Sequence, residues 1–274
     1  MLKFNFYKKT ILFLFIVCSF LSLKSFHEID SYSELTEDLF KDCNEKTVVV
    51  FDVDDTLITS LDFIARDLEH SFLLYIYLAI KFPQLIFNGK KLEEVISIIV
   101  RDRRCSVFDK DIYKIIEKFK QKGCKLIALT DMRNSSLGVI DDLPKWRAEH
   151  LKSLGFEFSK EFSDTTFNNL KIYKESFPCL FSGILCTNKL PKGEVLGKFI
   201  DRFDLKPNKV IFFDDLSYQL TSVESECKKR KIPFSGVKPL GAKKVLIDRS
   251  FGTVADQIDN VLKTGIFLPD ICVN

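Results

Sequence analysis

Histidine is scarce in this 274-residue chain, and the three present are His27, His70 and His150. The sequence also has no Cys-x-x-Cys motif and no cysteine–histidine pair at metal-ligand spacing. Protein zinc sites depend mainly on these two residue types, and a Ser-His-Asp triad needs a histidine as its base. We therefore expect neither a zinc centre nor a histidine-based triad, and we expect His150 to lie on a helix surface without a catalytic role.

Glycine and proline are also few, at 11 and 8 residues, and the chain has no internal repeat or low-complexity tract. This composition excludes a collagen-like or disordered protein and is typical of a globular one. The excess of positive charge is also small, because 41 basic residues face 38 acidic ones and the formal net charge is only +3. No basic patch indicates a nucleic-acid partner.

No apolar run is long enough to cross a bilayer as a helix, which takes about 20 residues. The longest clear run, Thr10 to Leu23, follows the lysines at positions 3, 8 and 9 and resembles a signal sequence. We interpret residues 1–25 as a cleaved signal peptide, or as an uncleaved N-terminal anchor, and expect a periplasmic or secreted protein. Lipoprotein processing at Cys18 is a further alternative, but the large residues before it do not favour that.

Cleavage after residue 25 would remove four lysines and one cysteine, leaving a net charge of −1 and seven cysteines. An exported protein can form disulfides, but an odd number leaves at least one thiol unpaired in a monomer. Connectivity cannot be deduced from these positions. Oligomeric state is also left open.

Acidic residues follow a strand that is predicted to be buried. Thr47 to Phe51 is a continuous β-branched and aromatic run, typical of a strand covered on both faces. It ends directly in Asp52, Asp54 and Asp55. Because buried carboxylates without partners are costly, we expect them at the strand's carboxyl end, where open α/β sheets form their sites.

Two later segments repeat this helix–strand–polar design. A helix over 109–122 leads to a strand over 125–129 that ends in Thr130, and a helix over 193–203 leads to a strand over 210–213 that ends in Asp214 and Asp215. Buried strands joined by helices predict an α/β fold with a Rossmann-like parallel sheet, helices on both faces and right-handed crossovers. The carboxyl ends of the strands should meet at one crevice.

Two insertions interrupt this core. Residues 58–107 are predicted to form a mainly helical cap, with helices over 61–82 and 92–100, and the apolar stretch from Phe72 to Ile80 as its packed core or as a surface for lipid or a partner. Residues 26–57 and 108–274 make up the core, with a small second insertion at about 157–182. A short helix over 30–41, a helix over 144–154 and a strand over 183–187 complete the prediction.

The polar residues at the strand ends suit phosphoryl transfer, in which a carboxylate can act as nucleophile and Mg²⁺ is held by carboxylate oxygens. Four motifs in order resemble the haloacid dehalogenase superfamily: Asp52-Val53-Asp54-Asp55-Thr56, Thr130, Lys192 in Lys-Gly-Glu-Val-Leu, and Asp214-Asp215. A calcium loop of the EF-hand type is excluded, since Leu57 and Phe63 replace the required glycine and glutamate.

The resemblance implies a role for each motif residue. Asp52 would be the nucleophile and a metal ligand, and Asp54 the general acid/base, which also contacts the metal through its backbone carbonyl. Thr130 would bind the phosphoryl group and Lys192 would orient it, while Asp214 and Asp215 complete the Mg²⁺ site. A closer resemblance, carried by residues 146–155 and Gly183-Ile184-Leu185, is to a poorly characterised family of exported bacterial proteins in the same superfamily.

The sequence therefore predicts an exported Mg²⁺-dependent phosphatase for a phosphorylated small molecule, with an aspartyl-phosphate intermediate on Asp52. Two alternatives stay open: a phosphotransferase that uses the same intermediate, and a non-catalytic binding or structural protein on this fold. The substrate is not predicted: the aromatic residues of the cap are consistent with an apolar part in the leaving group, and Phe-rich packing explains them equally well. Membrane contact is expected only through an uncleaved leader.

Overall fold

A computed structural model of the chain describes residues 26–67, 79–173, 175–241 and 251–270. The predicted leader at 1–25 lies outside these residues, as do residues 68–78 of the first predicted cap helix. The strands are β1 (His27–Ile29), β2 (Thr47–Phe51), β3 (Ile58–Ser60), β4 (Cys105–Val107), β5 (Lys125–Thr130), β6 (Thr165–Thr166), β7 (Cys179–Phe181), β8 (Ile184–Cys186), β9 (Lys209–Phe213) and β10 (Phe234–Pro239).

Helices occupy much of the described chain between the strands. They are α1 (Glu37–Phe40), α2 (Phe63–Asp67), α3 (Pro83–Ile86), α4 (Gly89–Asp102), α5 (Ile112–Gln121), α6 (Leu143–Ser153), α7 (Lys192–Arg202), α8 (Ser217–Lys229) and α9 (Phe251–Thr264). Within the described ranges, no helix combines the length and apolar character that a membrane crossing requires.

One large sheet has the strand order β1-β10-β9-β2-β5-β8-β7-β6. Neighbours from β1 to β8 pair in parallel, while β7 and β6 add an antiparallel edge. The three strands predicted to be buried are adjacent in this order, so their carboxyl ends lie side by side. The prediction of an α/β fold with a Rossmann-like parallel sheet is confirmed.

The central strands are buried on both faces because alternate residues pack into two separate clusters. Val49 and Phe51 join one cluster with the apolar stripe of α5, which includes Ile112 and Phe119. The alternate residues of β2, Val48 and Val50, join the second cluster with apolar residues of α7 and α8. Side chains alternate across a strand, so a continuous apolar run serves both helical layers at once.

The insertion over residues 58–107 is helical in its described middle but begins and ends in strands. β3 and β4 pair antiparallel, with Ile58 opposite Val107, and they form the two-chain stem that connects the insertion to the core. Neither strand was predicted from the sequence, because three residues are too few to show a period. Most of the apolar stretch from Phe72 to Ile80 lies outside the described residues.

The C-terminal helix packs on this insertion. Val254, Ile258 and Val261 of α9 share a buried cluster with Val95, Ile98 and Ile99 of α4 and with Phe63 and Ile64 of α2. The sequence assigned residues 251–270 to the core, and the buried cluster shows that α9 also packs on the insertion. Amphipathicity shows that a helix has an apolar face, but it does not show which surface covers that face.

The predicted helix over residues 30–41 was also wrong. A 3₁₀ turn at Tyr32–Glu34, held by a capping box between Ser31 and Glu34, is followed by an extended residue at Leu35 and then by the short α1. The Asp109 carboxylate holds this segment against the core. It accepts hydrogen bonds from Ser31 Oγ at 2.7 Å and from Tyr32 N at 2.8 Å. Long-range polar contacts thus override the local helical pattern.

Candidate active site

Asp52 emerges at the carboxyl end of β2, and a tight loop follows it. Asp52 N donates to Phe213 O at 2.8 Å, which fixes the start of the loop beside the end of β9. The chain then turns back, with Leu57 N and Ile58 N both donating to Val53 O. Asp55 adopts a positive φ of 58°, a region that aspartate tolerates better than most residues, and its carboxylate accepts from Thr59 Oγ1.

Lys192 joins two of the predicted carboxylates. It is the first residue of α7, is 2% exposed, and its Nζ lies 2.5 Å from Asp52 Oδ1 and 2.6 Å from Asp214 Oδ2. A buried lysine is stable only when it is paired, and here two acids share it. Residues from β2, α7 and the end of β9 thus form one buried ion cluster.

Burial changes the protonation behaviour of this cluster. It raises the pKa of Asp52 to about 7, although the positive charge of Lys192 opposes the rise. Burial also raises the pKa of Asp214, again against Lys192. For Lys192, burial lowers the pKa, but the charges of Asp52 and Asp214 outweigh it and hold the pKa above the usual range. Lys192 therefore stays charged. Its single positive charge does not compensate the negative charges of both Asp52 and Asp214.

A divalent cation fits this charge deficit. One carboxylate oxygen from each of Asp52, Asp214 and Asp215 lies within 4.8 Å of the other two, and all three residues are buried. Hard cations such as Mg²⁺ prefer oxygen ligands of this kind. Both carboxylate oxygens of Asp214 accept hydrogen bonds, from Lys192 Nζ and from Leu216 N at 2.8 Å. Asp215 lines the cavity described next.

A cavity of about 540 Å³ opens over this cluster. Its floor contains the predicted residues Asp52, Asp54, Thr130, Lys192 and Asp215, and Asp214 lies just beneath. Thr130 is the last residue of β5, is 5% exposed, and sits one strand away from Asp52. The far wall is apolar and comes partly from the cap helix α4, through Leu92, Ile96 and Val100.

Asp54 is held by two arginines that were not among the predicted site residues. Arg103 Nη2 lies 2.7 Å from Asp54 Oδ1, and Arg147 Nη2 lies 3.0 Å from Asp54 Oδ2. The cap supplies Arg103, the C-cap residue that follows α4, and the core supplies Arg147 from α6. Burial alone would raise the pKa of Asp54, but the charges of Arg147 and Arg103 hold it well below the usual range.

His150 lies beside this arginine pair rather than on an open helix surface, so that expectation was wrong. The side chain is partly buried and its ring stacks on Trp146, with centroids 5.2 Å apart. Burial, together with the positive charges of Arg147 and Arg103, lowers the pKa of His150 to about 4. The imidazole is therefore neutral at ordinary pH.

Known proteins that resemble the chain carry few functional names. The family described as a protein of unknown function, DUF2608, matches residues 23–256. An uncharacterised protein of Rickettsia prowazekii is 20% identical over 78% of this chain and 76% of its own length. A protein of Chlamydia trachomatis, named provisionally as an outer membrane protein, is 30% identical over 25% of this chain and 30% of its own length.

Among solved structures, a crystal structure of a HAD family hydrolase from Salmonella enterica serovar Typhi aligns with 77% of this chain and 74% of its own chain. The sequence identity is 16% and the TM-score is 0.36. A similarity this low supports no conclusion about activity, which has to come from the site itself.

Proposed function

Because the chain belongs to the DUF2608 family of proteins of unknown function, we propose its activity from the site: a Mg²⁺-dependent phosphatase that hydrolyses a phosphate monoester through an aspartyl-phosphate on Asp52. The observation that carries the proposal is the buried cluster in which Lys192 bridges Asp52 and Asp214 at the floor of a cavity. Three strand ends and one helix start contribute to this floor, as in the haloacid dehalogenase superfamily.

The acidic residues are suited to hold the metal. Asp52 and Asp215 would bind Mg²⁺ through their side chains, and Asp54 through its backbone carbonyl. Asp214 accepts hydrogen bonds from Lys192 and Leu216, which would position the lysine, and its oxygens keep lone pairs that would complete the metal site. Bound Mg²⁺ would supply positive charge that neutralises the dianionic phosphoryl group and keeps the Asp52 carboxyl ionised.

In the first half of the reaction, an oxygen of the Asp52 carboxylate attacks the phosphorus atom and the bond from phosphorus to the ester oxygen breaks. Asp54, once it has left Arg103 and Arg147 and taken up a proton from solvent, gives that proton to the departing ester oxygen, so an alcohol leaves. Lys192 holds the attacking carboxylate in place and stabilises the charge on the phosphoryl oxygens. The Thr130 hydroxyl would hydrogen-bond to the same phosphoryl group from the neighbouring strand.

In the second half, water attacks the phosphorus of the aspartyl-phosphate while Asp54 takes up its proton. The bond between phosphorus and Asp52 breaks, which releases inorganic phosphate and restores the carboxylate. An acceptor alcohol in place of water would make the same intermediate a phosphotransferase. Addition of small alcohols to the assay separates the two, because transfer lowers phosphate release relative to alcohol release.

The test is phosphate release by the protein lacking residues 1–25, with Mg²⁺, from a broad panel of phosphomonoesters. We expect turnover of at least one ester, loss of that turnover in Asp52→Asn, and an unchanged circular dichroism spectrum. Asp131→Asn is the matched control, since Asp131 lines the same cavity but pairs with Lys189 at 3.3 Å. Turnover that survives in Asp52→Asn, or no release from any ester, would overturn the proposal.

Location is a separate part of the proposal. We infer export from the basic and apolar leader over residues 1–25. Among the relatives, the Chlamydia trachomatis protein named for the outer membrane is consistent with it. Fractionation of cells that produce the full chain, with the N-terminus of the recovered protein sequenced, tests both export and cleavage.

A further inference from the structure

Two buried guanidinium groups converge at one side of the cavity. The Arg103 and Arg147 side chains are 9% and 6% exposed, and both bind the Asp54 carboxylate, which is 47% exposed. Arg147 also makes a second, longer contact from Nη1 to Asp54 Oδ1 at 3.3 Å. The arginines are thus fixed inside the protein, while the anion that they hold faces the cavity.

The protein holds both arginines before any ligand arrives. Arg103 N donates to Ile99 O at the end of α4, and the next residue, Arg104, is tied to the buried Asp62. The Arg147 guanidinium lies over the Trp146 ring at 5.0 Å from its centroid. Arg147 Nε is buried and has no hydrogen-bond partner among the described residues, so this side chain has an unused donor.

The position of the pair relates it to the leaving group. In the proposed reaction, Asp54 stands beside the ester oxygen, whereas Lys192 and the metal ligands stand beside the transferred phosphoryl group. A ligand group that binds next to Asp54 therefore belongs to the leaving alcohol. Planar guanidinium groups bind carboxylates and phosphates through paired hydrogen bonds, so the group that suits this place is an anion.

We propose that the substrate's leaving alcohol carries a second anionic group, a carboxylate or another phosphate, which binds Arg103 and Arg147 in place of Asp54. The inference rests on the proposed phosphatase function and narrows its substrate class. Asp54 is two residues from Asp52, so the second anion must lie within a few bonds of the ester oxygen. Once it is displaced, the Asp54 carboxyl is able to turn toward that oxygen.

The test compares pairs of monoesters that differ in one anionic group. The carboxylate pairs are O-phosphoserine with O-phosphoethanolamine, and phosphoglycolate with ethyl phosphate. To test a second phosphate as the anionic group, propane-1,3-diol bisphosphate is compared with propane-1,3-diol monophosphate. A hydrogen bond to a charged group changes an affinity or a rate constant by about tenfold or more. The kcat/KM of the anionic member should therefore exceed that of its neutral partner by about this factor in at least one pair.

Substitution of the arginines distinguishes this role from general stabilisation of phosphate. In Arg147→Gln and Arg103→Gln, the preference should fall toward unity because the anionic member loses much more than its neutral partner. Arg133→Gln is the control: Arg133 also lines the cavity, but its guanidinium pairs with Glu93 at 2.9 Å, so the wild-type preference should persist. Arg103→Gln, at a helix end, keeps the test valid if Arg147→Gln does not fold.

Two results would overturn the inference. One is a wild-type enzyme that turns over both members of every pair at similar kcat/KM. The other is an equal loss for both members in the arginine variants, which would place the arginines on the transferred phosphoryl group. Both results require Asp52-dependent turnover, so they differ from failure of the proposed function, in which no ester is hydrolysed.

Discussion

Asp62 fastens the cap to the C-terminal segment, and its removal should destabilise the protein strongly. The side chain is fully buried and accepts four hydrogen bonds. Three come from Arg104, through N at 2.7 Å, Nε at 3.1 Å and Nη2 at 2.8 Å, and one comes from Asp270 N at 3.0 Å. Asp270 in turn accepts from Phe63 N and Gln257 Nε2, both at 2.8 Å.

The expected magnitude follows from these contacts. Removing one partner of a buried ion pair costs about 3–5 kcal/mol, and the lower end applies because Arg104 is 30% exposed. Asp62→Ala should therefore lower the free energy of unfolding by about 3 kcal/mol. Asp62→Asn keeps one oxygen but loses the charge, and should cost about 1.5–3 kcal/mol.

The assay is equilibrium unfolding in urea of the protein lacking residues 1–25, with the free energy obtained from the midpoint and the slope. Glu157→Ala is the control, since Glu157 is 54% exposed and lies 3.9 Å from Lys160. That variant should stay within about 0.5 kcal/mol of wild type. If Asp62→Ala also stayed within that range, the network would not be what fixes the cap to the C-terminal segment.

Three further predictions concern Lys192, the metal, and the contact of Gly138 with α4. Lys192→Met should lower kcat by at least about 10²-fold, because Asp52 and Asp214 lose their shared cation and the phosphoryl group loses a hydrogen-bond donor. Steady-state kinetics measure this, and a near-normal kcat would contradict it. Chelation with EDTA should abolish phosphate release and added Mg²⁺ should restore it, whereas activity that persists after chelation would exclude the proposed metal role. Gly138→Ala should lower the midpoint of thermal unfolding, because an added Cβ would lie 2.2 Å from Ser97 Oγ and 2.6 Å from Glu93 O at a φ of +51°; an unchanged midpoint would show that α4 yields there.

The sequence was sufficient to locate the residues of the cavity floor. Asp52, Thr130 and the Asp214-Asp215 pair each follow a buried apolar run, and parallel strands bring their ends to one edge. Lys192 was identified through the resemblance of Lys-Gly-Glu-Val-Leu to a superfamily motif, because a single lysine at a helix start is usually solvated. Each of these patterns can be seen in a short stretch of sequence. The order of the strands in the sheet then brings the residues together in space. The roles of these residues stay predictions until the site is tested.

The arginines above the floor could not be predicted in the same way. Arg147 and Asp54 are 93 positions apart, and an arginine on a helix is most often solvated. Only the packing of α6 against the loop after β2 makes the contact. The packing of α9 on the cap and the three-residue strands β3 and β4 were missed for a similar reason, since they depend on long-range contacts rather than on periodicity.

The most direct test of the central claim is to trap the phosphorylated enzyme. The Asp54→Asn variant is mixed with p-nitrophenyl phosphate and Mg²⁺, quenched in acid, and digested for peptide mass spectrometry. This leaving group departs without a proton, so the first step proceeds, whereas release of phosphate needs Asp54 as a base. We predict a phosphoryl group on the peptide that contains Asp52, labile to hydroxylamine, and none in Asp52→Asn. Turnover of the ester by wild-type enzyme with no phosphorylated Asp52 in any variant would contradict the account.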